Sequence, residues 1–133
     1  MAKVMDEKEI AQNWLDDMSY TAAMRDYDAH MNLVSTKVQL HGVPGAGVID
    51  YKGWARRRLH EFKSGLLFSL TYKNLDLRSA DEKQITFTVR ETMKSTEGHI
   101  LVLHKEVMLE KEGKKNQWRV KLERINHHEM KSS

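Results

Sequence analysis

The stretch Gln84-Ile85-Thr86-Phe87-Thr88-Val89-Arg90-Glu91-Thr92-Met93-Lys94 leads through Ser95-Thr96-Glu97-Gly98 into His99-Ile100-Leu101-Val102-Leu103-His104-Lys105-Glu106-Val107-Met108-Leu109, and its reading decides the fold. In the first half Ile85, Phe87, Val89 and Met93 share one face, against Thr86, Thr88, Arg90 and Thr92 on the other. Alternation with period two marks a strand with one buried side. The second half is apolar on both faces: Ile100, Val102 and Met108 on one, Leu101, Leu103, Val107 and Leu109 on the other. An antiparallel strand of that kind needs cover on both sides. Helices can cover one side, and a second copy of the chain would cover the other.

Outward from this hairpin, residues 66–77 and 117–126 read as two more strands, with turns at 79–82 and 113–116. All four segments exceed the usual five or six residues, so bends and bulges are expected. Upstream the period changes. Ile10, Trp14, Leu15, Met18 and Ala22 form one helical stripe over about 6–23, opened by Asp6, Glu7 and Glu9. A short helix fits 26–34, with Asp26 as N-cap and Ala29, Leu33 and Val34 facing inward. Residues 37–41 alternate as a short strand, and the glycine-rich 42–47 form a loop. A third helix fits 51–63, capped by Asp50 and stopped by Gly65, with Trp54, Ala55, Leu59 and Phe62 as its stripe. Helices first and strands after predict one α+β domain over 1–133, with 1–5 and 128–133 as tails.

Composition narrows the function. The 133 residues include no cysteine, which excludes disulfides, thiolate metal sites and a cysteine nucleophile. No segment has the length and apolarity of a spanning helix or a cleaved signal, so a cytoplasmic setting without membrane contact is expected. The net charge of +3 comes from interleaved residues. Arg56-Arg57-Arg58 would fan around a helix, and Lys111, Lys114, Lys115 and Arg119 gather at a hairpin tip. Neither makes the basic, aromatic-laced surface of a nucleic-acid binder, so no such partner is expected. Seven histidines include no His-x-His or His-Glu-x-x-His pattern, so no metal and no cofactor is expected.

The informative residues interrupt apolar stripes. Glu91 lies between Val89 and Met93 on the face that reads as buried. A two-residue turn at Glu97-Gly98 would pair Thr96 with His99, and so set Glu91 opposite His104. One face would then present Phe68, Leu70, Tyr72, Val89, Glu91, Met93, Val102, His104 and Glu106. A buried carboxylate needs a partner, a proton or water, and a Glu–His pair in a dry pocket can abstract a proton. A rim ion pair is the structural alternative. His41, before the glycine loop, is a second candidate base, since its ring titrates near neutrality. Trp14 and Trp54 are expected to fill the core and wall a cavity. Arg124 is expected to be solvated.

The order of elements, with Arg25-Asp26-Tyr27-Asp28-Ala29 opening the short helix and Gly53-Trp54-Ala55 in the third, resembles the nuclear transport factor 2-like superfamily. That group includes the ketosteroid isomerase-like and SnoaL-like families. The resemblance implies a cone in which a strongly curved, mostly antiparallel sheet wraps three N-terminal helices around an apolar pocket. It also implies dimerisation through the outer sheet face. The tyrosine and aspartate of ketosteroid isomerases would fall near Met18 and on Leu40 or His41, where neither residue type occurs, which argues against steroid isomerisation. What remains is a site for a small apolar molecule. Cofactor-independent isomerase, dehydratase or cyclase chemistry would use Glu91 or His41 as base and His104 as orienter or acid. Trp14, Trp54, Tyr72 and Glu106 would contact the ligand. The alternative is a non-catalytic protein-interaction or dimerisation module.

Overall fold

Three helices, the third of them following the first strand, pack against a five-stranded sheet, and the computed structural model describes residues 6–132. The elements are α1 (Glu7–Ala23), α2 (Tyr27–Met31), β1 (Val34–His41), α3 (Tyr51–Ser64), β2 (Ser69–Ala80), β3 (Gln84–Lys94), β4 (His99–Glu112) and β5 (Gln117–Ser132). Each helix starts on an aspartate whose carboxylate accepts a free backbone N–H. Asp6 receives Glu9 N–H at 2.8 Å, Asp26 receives Ala29 N–H at 3.1 Å and Asp50 receives Gly53 N–H at 2.9 Å. Gly65 ends α3 in the left-handed region, at φ 78°.

The strand order is β1-β5-β4-β3-β2, with β1 parallel to β5 and every other pair antiparallel. Trp14, Leu15 and Met18 of α1 pack on the inner sheet face with Ile85, Phe87, Val107, Leu109 and Val120. Trp14 meets Phe87 edge to face at 6.5 Å, and its indole N–H donates to the Leu33 carbonyl at 3.1 Å. Register shifts in β2 (Lys73/Asp76, Leu77/Ser79) and between β4 and β5 (His104/Lys105, Met108/Leu109) supply the bulges that curve the sheet.

Several expectations change. Residues 128–132 are no tail: β5 continues to Ser132 and pairs it with His99. Residues 1–5 lie outside the described residues. The second helix ends at Met31, and β1 begins at Val34. On α3 the inward position belongs to Arg58, 6% exposed, whereas Leu59 is 38% exposed.

The most consequential change is at the 95–98 turn. Ser95 N–H donates to the His99 carbonyl at 3.0 Å, and Gly98 lies at φ 86°. Three residues, Thr96 to Gly98, therefore make the loop, with glycine in the left-handed position such loops require. Compared with a two-residue turn, the register moves by one, and every β4 side chain changes face. Glu91 faces Leu103, and His104 pairs with Arg90.

Candidate functional site

A pocket of about 350 Å³ opens between α3, the 42–49 loop and the inner face of β3, β4 and β5. Its exposed lining residues, Pro44, Arg57, His128 and Met130, mark the mouth. Leu40, Trp54, Met93 and Leu103 form buried apolar walls. The loop is pinned at its base, where Leu40 and Ile49 exchange N–H···O bonds of 2.9 Å in both directions.

The closed end is charged. Glu91, Glu123, Lys105 and Arg58 line it and are 1%, 2%, 5% and 6% exposed. The Lys105 ammonium lies 3.0 Å from Glu91 Oε1 and forms a second, short ion pair with Glu123 Oε1. The Tyr72 hydroxyl donates to Glu91 Oε2 at 2.7 Å. Arg58 donates through Nε to His30 Nε2 at 3.0 Å and pairs through a terminal nitrogen with Glu61 at 3.0 Å.

His30 is fully buried and completes a chain behind Arg58. A guanidinium can only donate, so His30 Nε2 must be the lone-pair nitrogen and Nδ1 carries the proton. That proton goes to Thr21 Oγ1 at 2.8 Å, and the Thr21 hydroxyl donates to the Asp17 carbonyl at 2.8 Å. Burial, then the charges of Arg58 and Lys105, lower the imidazole from 6.5 to about 2. It is a neutral strut between α1 and Arg58.

The two carboxylates differ because their partners differ. Burial disfavours the Glu91 anion, but Lys105, Arg58 and the Tyr72 hydrogen bond overcome it and hold its pKa below the ordinary value. Glu123 has Lys105 but no Tyr72 hydrogen bond, and Arg58 is the least of the groups that favour its anion. Burial, reinforced by the Glu91 charge, raises its pKa despite Lys105. Burial also opposes the Lys105 ammonium, yet Glu123 and Glu91 hold it above its ordinary pKa. Two carboxylates of unequal proton affinity, bridged by an ammonium at the end of an apolar pocket, can exchange a proton with a bound molecule.

The structure sorts the residues singled out from the sequence. Glu91 and Trp54 line the pocket, and Tyr72 stands behind Glu91 as its hydrogen-bond donor. Trp14 belongs to the core away from this pocket. His104 is on the outer sheet face, its ring 5.4 Å from that of His127. Glu106 is also outside, 3.9 Å from Arg124, whose side chain is 52% exposed. His41 turns away from Leu40 and the pocket, and its ring lies 3.1 Å from Gln39 Oε1. The correction from His104 to Lys105 follows from the three-residue turn, and that for His41 from strand alternation with buried Leu40.

Lys105, Glu123, Arg58 and His30 were missed. Lys105 had a signal, since it interrupts Leu101, Leu103, Val107 and Leu109 just as Glu91 interrupts its own stripe. Arg58 lies one turn after Trp54 and one before Glu61, a phase visible in the sequence. Glu123 had none: a bulge at Lys121 puts Val120, Glu123 and Ile125 on the inner face, where strict alternation would put Leu122 and Arg124. Among the described residues no group of three or more histidines, aspartates or glutamates is placed to hold a metal ion. No helix among them is long and apolar enough to cross a membrane.

No protein-family model and no curated protein matches the chain. Known structures do match in fold. An NTF2-like protein of unknown function from Shewanella oneidensis superposes with a TM-score of 0.70 at 12% identity, covering 90% of this chain and 98% of that one. A Novosphingobium aromaticivorans protein described only provisionally as a scytalone dehydratase gives 0.68 at 14% identity, over 92% and 86%. A Nostoc punctiforme protein of unknown function with a cystatin-like fold gives 0.68 at 10%, over 94% and 93%. The chain therefore has the nuclear transport factor 2-like fold, the cone-shaped α+β architecture its order of elements resembles. Identities this low speak to fold, and function must be argued from the site.

Proposed function

We propose that the protein binds a small, largely apolar molecule in this pocket and moves a proton on it without a cofactor, in chemistry of the isomerase, dehydratase or cyclase type. One observation carries the reading: Glu123, buried with a raised pKa, lines the same apolar cavity as Lys105 and Glu91. A carboxyl group tuned upward in a dry cleft suits general acid–base work near neutral pH. Glu123 is the proton-transfer group, Lys105 steadies the charge that develops, and Tyr72 and Arg58 keep Glu91 ionised. The provisional dehydratase description of one structural neighbour agrees with this class. A second copy of the chain is assigned to the outer sheet face, whose apolar positions are Ile100 and Val102 at one end of β4 and Met108 beside Leu122 towards the other, with His104 and Glu106 between them.

A thermal-shift panel of bicyclic hydrophobic molecules tests binding, since a ligand that prefers the folded state raises Tm by mass action. Binders should raise Tm in the wild-type chain and fail to do so in Leu103→Trp, which fills the pocket. Absence of any shift, or an equal shift in that variant, would overturn the reading. For proton transfer, α-tetralone in D2O should exchange its α-hydrogens in the presence of the wild-type protein. Glu123→Gln should slow that exchange at least about a hundredfold while leaving binding in place.

A further inference from the structure

The charges that line the pocket are matched at its closed end and unmatched at its mouth. Inside, both cations are engaged. The Lys105 ammonium lies within hydrogen-bond reach of Glu91 and Glu123, and Arg58 is held by Glu61 and His30. That end has no spare cation for a second anion. A carboxylate pushed in beside ionised Glu91 would be repelled where water is scarce.

The mouth differs. Arg57 lines it, is exposed and, among the described residues, forms no hydrogen bond or ion pair. Glu61, one turn further along α3, is the acid that a spacing of four would give Arg57. Its Oε1 is taken instead by buried Arg58, at 3.0 Å. The other carboxylates of the lining, Glu91 and Glu123, belong to Lys105. Burial favours a proton on Glu123, and each proton taken there leaves the lining with a positive excess. Met130, also at the mouth and 73% exposed, carries the apolar wall out to the rim.

A guanidinium at an apolar rim matches a carboxylate through parallel N–H···O bonds. There the carboxylate keeps part of its water, so little desolvation opposes the pair, while the hydrocarbon is buried inside. Resting on the binding role assigned to this pocket above, we propose that its ligand is an apolar molecule with one carboxylate, held at the mouth by Arg57. It enters apolar end first, against Trp54, Met93 and Leu103, so the carbon whose proton moves lies at the end remote from the carboxylate.

Isothermal titration at low salt with 2-naphthoate and 2-naphthamide tests this, since the two share a body and differ in charge. The naphthoate should bind about fivefold more tightly than the amide. In about 0.5 M salt the two should come within about twofold of each other. Arg57→Gln should abolish the preference while the amide binds as before. Arg56→Gln should keep it, because Arg56 is exposed about 100° away around the helix and does not line the pocket. An amide that binds wild type as tightly as the naphthoate would overturn the inference and leave the apolar pocket standing. So would a preference that survives Arg57→Gln, or one lost equally in Arg56→Gln. If neither probe binds, the pocket's binding role falls, and this inference with it.

Discussion

At the scale of single residues, the buried polar cluster makes stability depend on protonation. His30 takes no proton in the folded chain until about pH 2, whereas an unfolded histidine binds one near 6.5. Below pH 6.5 the unfolded state gains protons that the folded state does not, so stability falls on acidification, by up to about 1.4 kcal/mol per pH unit. Urea unfolding at a series of pH values from about 7 to 5 should show that slope. His30→Gln, which can still accept from Arg58 and donate to Thr21, should flatten it. Lys105→Met would leave Glu91 and Glu123 buried together without their ammonium. A loss of about 3–5 kcal/mol at neutral pH is expected, shrinking as the pH is lowered and the carboxylates take up protons. Equal losses at both ends of that pH range would contradict the ion-pair geometry. Glu91 could be found from the sequence because a charge breaking an apolar alternation stands out. Lys105 breaks an apolar stripe in the same way, but a two-residue turn at Glu97-Gly98 would set it on the face opposite Glu91.

At the scale of elements, turns and bulges decide what faces what. The helices were legible because their caps and apolar stripes are local signals. Which face of β4 looks inward hung on whether the 95–98 turn spends two residues or three, and that of β5 on a bulge at Lys121 and another at Asn126. The glycine loop shows a related dependence. Gly42 lies at φ 88°, and a Cβ there would sit 2.2 Å from the Ile125 carbonyl oxygen. Gly45 has a similar φ of 75° but nothing within 4 Å of the added carbon. Gly45→Ala should therefore cost only the backbone strain, about 1 kcal/mol. Gly42→Ala should cost about 3 kcal/mol or more, because β1 and β5 must separate. Thermal or urea denaturation of the two variants checks the contrast. A similar cost for both would mean that the close approach to Ile125 is not rigid.

For the whole molecule, the inner sheet face is covered by the helices, and the outer face keeps the apolar positions, Ile100, Val102, Met108 and Leu122, that the second copy is proposed to cover. Light scattering at micromolar concentration should report twice the mass of the chain. Met108→Lys, which charges one of those outer positions without touching the core, should return a folded monomer with unchanged circular dichroism. A wild-type monomer would remove the dimer from the proposal and leave the pocket untouched. The sequence by itself determined the α+β class, the order of elements, the helix caps and the presence of a costly carboxylate at Glu91, because these depend on periodicities and contacts within a few residues. Only the tertiary structure decided that Glu91 meets Lys105 and Glu123 and not His104, and that His30 and Arg58 stand behind them. The physical reason is the period of two in a strand: one residue more in a turn, or one bulge, exchanges the buried face for the exposed one. Such single-residue differences in chain path leave little trace in the alternation itself.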